Sequence, residues 1–251
     1  MTKLLIANWK SYLTHKQTLD LANEYKNIFN NTKNSNLIVA PNELFVEVVA
    51  EIFKNTKIKL AGQNFAINNE GQNTGEVRAD DLKELGCDYC LIGHSERRKK
   101  YNETNEIINQ KIKLAFESNI VPVLCIGETL SDKETNKTED TLIHQIKTAL
   151  NKIDLQGNQK LVIAYEPVWA IGSGEVIDVL ELTAIAKIIQ RIIISLYSEQ
   201  VYNDNVSLLY GGSINSKVVK PFWQSKYING LLVGGASLDI NEIKEIISQN
   251  L

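Results

Sequence analysis

Positive charge is not in excess in this chain: 27 Lys and Arg stand against 30 Asp and Glu, a formal net charge of −3. That balance excludes a broadly basic nucleic-acid binder or a binder of anionic membranes, and leaves room only for a local pocket that captures a small anion. Long apolar runs are missing as well. The N-terminal segment "MTKLLIANWK" is apolar only from Leu4 to Ala7, too short for a secretory signal and far too short to span a bilayer, so a soluble, cytoplasmic protein is expected. Cysteine is scarce and odd in number: Cys87, Cys90 and Cys125 sit in or beside apolar runs and read as reduced core thiols, with no structural disulfide and no metal. No Pro/Ser-rich linker or break in composition divides the chain, which predicts one domain over residues 1–251. A Gly-x-Gly-x-x-Gly turn is absent after the first strand-like run, where "ANWKSYL" stands instead; this counts against an open doubly wound sheet, the alternative at the level of fold.

What recurs is a short β-branched, apolar run. Eight of them, at 4–8, 37–40, 58–62, 89–93, 121–126, 161–165, 206–210 and 230–234, have the near-continuous apolar character of buried parallel strands. Amphipathic segments of helical length separate most of them, at 18–29, 103–117, 138–152, 180–197 and 241–248. About eight strand-then-helix units in 251 residues predict an α/β fold of the closed (β/α)8 type. The polar stretch "QNFAINNEGQNTGEVR" (63–78) is the longest after any strand and reads as either a disordered tip or a protruding contact loop.

In such a barrel the loops leaving the C-terminal strand ends share one face, and that face carries the active site. The residues expected there are Asn8 and Lys10, then Gln63 and Asn64, then His94, Ser95 and Glu96, then Glu166, then the glycine turns Gly211-Gly212-Ser213 and Gly234-Gly235. A carboxylate, an imidazole and a fixed cation thus meet at one mouth. The two glycine turns, the first expected to lead into a helix near Asn215, can aim unhindered backbone N–H groups at an anion, which predicts a substrate with one phosphate. "YEPVWAIGSGE" (165–175) places Trp169 and Ile171 in a loop, where an apolar tip between Pro167 and the glycines Gly172 and Gly174 suits a lid that excludes water. His15 and His144, on expected helices, read as structural.

Taken in order, "ANWK", "IGHSERR", "CIGET", "AYEPVWAIGSG", "YGGSIN" and "LLVGGASL" resemble the triosephosphate isomerase family essentially end to end. The resemblance implies a (β/α)8 TIM barrel that interconverts dihydroxyacetone phosphate and D-glyceraldehyde 3-phosphate through an enediolate, without a cofactor. It implies Glu166 as base, made more basic when Ile171 and Leu232 close over it, and His94 as a neutral electrophile held so by N–H groups of Ser95 and Glu96. Lys10, oriented by Asn8, supplies positive charge. Gly172, Ser213, Gly234 and Gly235 hold the phosphate, Trp169 and Ile171 belong to the lid, and Thr74 reaches into a second subunit of a homodimer. Glu96 is open between proton handling and an ion pair with Lys10 or Arg97. This chain departs from the family at Ser11-Tyr12-Leu13, at Ser173 in the lid, at the lid's far hinge Glu175-Val176-Ile177, and at Asn229. Two competing readings are another phosphate-binding barrel enzyme, which would use different acid and base residues, and a non-catalytic barrel that serves as a binding or scaffold protein.

Overall fold

Among the residues described by the computed structural model, 3–29, 36–155, 157–172 and 174–249, eight parallel strands close into one barrel in sequence order. They are β1 Leu4–Asn8, β2 Asn36–Ala40, β3 Lys59–Gly62, β4 Cys87–Ile92, β5 Val121–Ile126, β6 Leu161–Tyr165, β7 Val206–Tyr210 and β8 Gly230–Val233. Each expected strand is present, with ends moved by two residues or fewer. The apolar runs form strands because both faces are covered: Ile6, Ile38, Leu91, Val123, Val162 and Leu209 fill the barrel interior, while alternate residues such as Leu5, Val39, Leu124 and Ile163 pack outward against the helices. The register between β3 and β4 shifts between Leu60 and Ala61. Cys87 and Cys90, three positions apart on β4, are buried and unpaired, as is Cys125.

The long expected helices are found at His15–Phe29, Asn105–Glu117, Thr138–Ala149, Val179–Leu196 and Ile240–Ser248. Asp178 caps the fourth through the N–H groups of Leu180 and Glu181, and Asp239 caps the fifth through Asn241 and Glu242. Shorter helices that the periodicity did not single out include Val46–Phe53, Ala79–Glu84 and Glu199–Asn205. One expectation is corrected. No helix starts near Asn215; the N–H groups of Val218 and Val219 both bond to the Asn215 carbonyl in a turn, and the helix begins at Lys220, with Pro221 in its first turn.

The polar loop 63–78 is ordered by its own hydrogen bonds. Asn73 donates to Asn68 Oδ1 at 2.5 Å and to the Glu70 carbonyl at 2.7 Å, and Ala66 and Val77 pair across its base. Asn229, where the family often has aspartate, accepts the Leu208 N–H on Oδ1 at 2.8 Å and so completes the β7–β8 entry; an aspartate oxygen would accept the same bond. Among the described residues no helix is long and apolar enough to cross a membrane.

Candidate active site

Lys10 leaves the end of β1 in the left-handed region, at φ 50°. That unusual backbone is held from two sides: its N–H donates to Asn8 Oδ1 at 3.1 Å, and Gln63 Nε2 donates to its carbonyl at 2.9 Å. The side chain is thereby turned toward Glu96, with Nζ 2.7 Å from Oε1. Of the two ion pairs open for Glu96, the one with Lys10 is formed. Burial pushes the Glu96 carboxyl up, but the Lys10 bond and charge outweigh it and hold it below its ordinary value.

His94 follows β4 and caps the helix Ser95–Tyr101. Its Nδ1 accepts the Glu96 N–H at 3.2 Å, which fixes the tautomer: a ring nitrogen that accepts carries no proton, so Nε2 is the N–H. Nε2 lies 3.5 Å from Glu166 Oε1. The second expected donor to the ring goes elsewhere, since the Ser95 N–H points at Glu166 Oε2 at 3.4 Å. Glu166 and His94 are both buried, at 3% and 7% exposure, so a carboxylate and an imidazole face each other with little water between them.

The Glu166 backbone sits in a tight seat. Its N–H donates to the Ile126 carbonyl at 2.7 Å, and a Cβ on Gly127 would fall 1.8 Å from its carbonyl oxygen, which explains a glycine there. Gly211 is required for the side chain, because a Cβ would lie 2.9 Å from Glu166 Cγ.

Asn8, Lys10, His94 and Glu166 line one cavity of about 260 Å³, together with the glycine turns of β7 and β8. Ile171 and Leu232 line it on the apolar side, and Gly172, Ser213, Gly234 and Gly235 line it as well. Gly234 lies close to the cation: a Cβ there would be 3.6 Å from Lys10 Cε. Ser213 Oγ donates to the Ala170 carbonyl at 2.6 Å, so the hydroxyl is tied to the 165–175 segment and leaves only the backbone N–H for a ligand. Gly172 and Gly174 have φ 70° and 81°, a backbone region that favours glycine; Ser173 lies outside the described residues. Thr74 is exposed on loop 63–78 and is not among the residues that line this cavity.

Comparison with known proteins gives the family of the chain. The family model described as Triosephosphate isomerase matches residues 3–250. The chain belongs to the triosephosphate isomerase family. It is 39% identical to the triosephosphate isomerase of Dictyoglomus turgidum over 245 residues, 98% of each chain. It is 38% identical to that of Clostridium botulinum strain Langeland over 247 residues, 98% of this chain and 99% of the other. With the same enzyme of Mycoplasmopsis pulmonis it shares 37% over 253 aligned positions, 98% of this chain and 97% of the other.

In this family member one buried carboxylate beside the site is not singled out by the sequence. Glu128, two residues past the end of β5, is 1% exposed. It accepts from Trp169 Nε1 at 2.7 Å and from the Tyr165 hydroxyl at 3.0 Å. Burial raises its carboxyl above the ordinary value despite these donors. Lys133 sits 3.6 Å from the Trp169 ring centroid and pairs with Glu181 at 2.7 Å. The signal for Glu128 was available: a carboxylate at the C-terminal end of a barrel strand, inside "CIGET". Trp169→Phe strips this buried carboxylate of a donor, and a loss of about 1–3 kcal/mol is expected, read as a lower urea midpoint at unchanged slope. An unchanged midpoint would mean that the indole bond contributes nothing.

The family departures also have places. Leu13, Val176 and Trp169 pack against the core from partly buried positions, and Ile177 is fully inside it, at 2% exposure. The far end of the 165–175 segment is thus anchored by a large apolar side chain. Tyr12 is 64% exposed and stands at the cavity rim.

Proposed function

We propose that this chain, as one catalytic domain, interconverts dihydroxyacetone phosphate and D-glyceraldehyde 3-phosphate. The observation that carries the proposal is the convergence of Glu166, His94 and Lys10 on a single cavity flanked by two glycine turns. The Glu166 carboxylate removes a proton from the carbon beside the carbonyl to give an enediolate, the hydroxyl proton passes to the former carbonyl oxygen so that the other oxygen becomes the new carbonyl, and the same carboxylate returns its proton to the neighbouring carbon. Its present contacts, at 3.4 and 3.5 Å, are long enough for an incoming substrate to displace at small cost. Neutral His94 donates Nε2–H to the developing oxyanion, and Lys10 adds positive charge beside it. Asn8 keeps Lys10 in position, and Glu96 holds the lysine in reach of the cavity.

Gly172, Ser213, Gly234 and Gly235 bind the phosphate through backbone N–H groups. The segment around Trp169 and Ile171 closes as a lid, and Ile171 with Leu232 strips water from Glu166, which strengthens it as a base. Tyr12 joins the rim. The reaction needs no cofactor and no metal, and the expected location is the cytoplasm. The test is isomerisation of D-glyceraldehyde 3-phosphate in a coupled assay; a folded but inactive protein would return the non-catalytic barrel as the better reading.

The working form is a homodimer. A second cavity of about 230 Å³ shares Asn8, Lys10 and His94 with the first and is lined also by Gln63, Glu96 and Arg97; it suits a protruding loop such as that bearing Thr74 in a second copy. Thr74→Arg is expected to give a monomer by sedimentation that has lost most of its activity although its own Glu166, His94 and Lys10 are intact. A fully active monomer would sink the dimer requirement.

A further inference from the structure

The charge run Ser-Glu-Arg-Arg-Lys-Lys at 95–100 has the composition of a solvated helix face, yet Arg98 turns inward. Its Nε donates to the Gly93 carbonyl at 2.7 Å, one Nη to Asn105 Oδ1 at 2.6 Å, and the other Nη to the Cys125 carbonyl at 3.0 Å. Gly93, at φ 72°, makes space for it: a Cβ there would lie 3.1 Å from the guanidinium. All three acceptors are neutral. The nearby carboxylates are already committed, Glu96 to Lys10 and Glu103 to Arg97 and Lys111, and Arg98 makes no ion pair among the described residues. Burial lowers its basicity, against the opposing pull of Cys125, Glu166 and Glu103, but a guanidinium stays charged in a protein.

Two consequences follow from that placement. The Gly93 and Cys125 carbonyls belong to the neighbouring ends of β4 and β5, one residue before His94 and one before Ile126, whose carbonyl receives the Glu166 N–H. One planar side chain therefore ties the segment that carries the imidazole to the strand end that receives the Glu166 backbone N–H. The clamp also brings a positive charge without a counter-ion into the field of both groups. The other groups facing the pair do not supply such a charge. His94 meets the Glu96 N–H and the self-neutralised Lys10–Glu96 pair, while Glu166 meets His94, the Ser95 N–H and the Cys125 thiol.

We infer that Arg98 is a positioning residue for the Glu166–His94 pair, a clamp across β4 and β5 whose uncompensated charge favours the ionised carboxylate and the neutral imidazole. The inference rests on the roles proposed above for those two residues.

The test compares Arg98→Met, which removes clamp and charge, with Arg98→Lys, which keeps the charge and loses the planar fork. Both are followed by the pH profile of kcat/KM and by NMR titration of the three histidine rings. For Arg98→Met the acid limb is expected to move up by about 0.5–1 pH unit, because losing a nearby cation favours the protonated carboxylate. The His94 ring is expected to take up its proton at a higher pH than in the wild type, with His15 and His144 unmoved. Its kcat should fall by roughly 10–100-fold with KM changed less than about threefold, from misplacement of the pair. Arg98→Lys should show a similar fall in kcat with the limb in its original place. A folded Arg98→Met protein with wild-type limb and wild-type His94 titration overturns the inference. Should Arg98→Met not fold, Arg98→Gln, which keeps a hydrogen-bond donor, carries the same comparison. An inactive wild type would strike the isomerase reading alone, and the histidine titration would still decide the role of Arg98.

Discussion

Glu166→Gln is expected to slow isomerisation by roughly two to four orders of magnitude, the usual cost of losing a general base. The amide has nearly the shape of the carboxylate, and its oxygen can still accept the Ser95 N–H that the carboxylate accepts at 3.4 Å. The backbone seat against Ile126 and Gly127 is untouched. The loss should therefore fall on kcat, with KM changed only a few-fold and the unfolding midpoint close to that of the wild type. The measurement is kcat and KM in the coupled assay, beside a urea melt of the same preparation. A variant within tenfold of wild type would place the base elsewhere, since no other part of the proposal compensates for a missing carboxylate at this position.

Glu103→Ala carries the largest expected effect on stability. One oxygen of this buried carboxylate receives Lys111 Nζ at 2.6 Å and Arg97 Nε at 2.5 Å, and Lys111 itself is 5% exposed at the side chain. Lys111 also donates to Asn64 at 2.5 Å, at the start of loop 63–78. Removing the glutamate leaves a buried ammonium without its counter-charge, and breaking a buried pair in this way costs about 3–5 kcal/mol. The urea midpoint should fall accordingly, and Glu103→Gln, which keeps an acceptor, should lose less. The same group gives an acid-side signature. Burial raises the Glu103 carboxyl, but the Lys111 and Arg97 bonds and charges outweigh it and leave it below its ordinary value. A carboxyl lowered on folding adds stability that is full above the unfolded value, about 4.3, and is lost as pH falls through the folded one. Wild-type stability should therefore decline below about pH 4.3 more steeply than that of Glu103→Gln. Parallel declines would mean that the network does not lower this group.

Much of the fold was legible because burial on both faces writes itself into strands directly. "LLIAN" and "LVIAY" could form little else once enclosed by helices, and both are strands end to end. The long helices were legible through their periodicity. Short ones such as Lys220–Gln224 were not, because five residues hold too little of a 3.6-residue period; Pro221 was the better signal, and the expected start near Asn215 missed it.

For the site, the sequence by itself determined the residue types and the face they occupy. Asn8 ends a strand, Lys10, His94 and Glu166 each follow one, and barrel topology brings strand ends together. What only the tertiary structure decided is which charge meets which. As an ion-pair partner Glu96 was open between Lys10 and Arg97, and the fold pairs it with the lysine. Arg97 and Arg98 are adjacent and identical on paper, yet one neutralises Glu103 and the other clamps two carbonyls. Their first partners lie within a few residues, but whether those partners are charged, neutral or buried depends on strands and helices that arrive from elsewhere in the chain. Pairings of this kind are set by where the backbone delivers each side chain, to within about an ångström of hydrogen-bond reach, and no local pattern of residues carries that information.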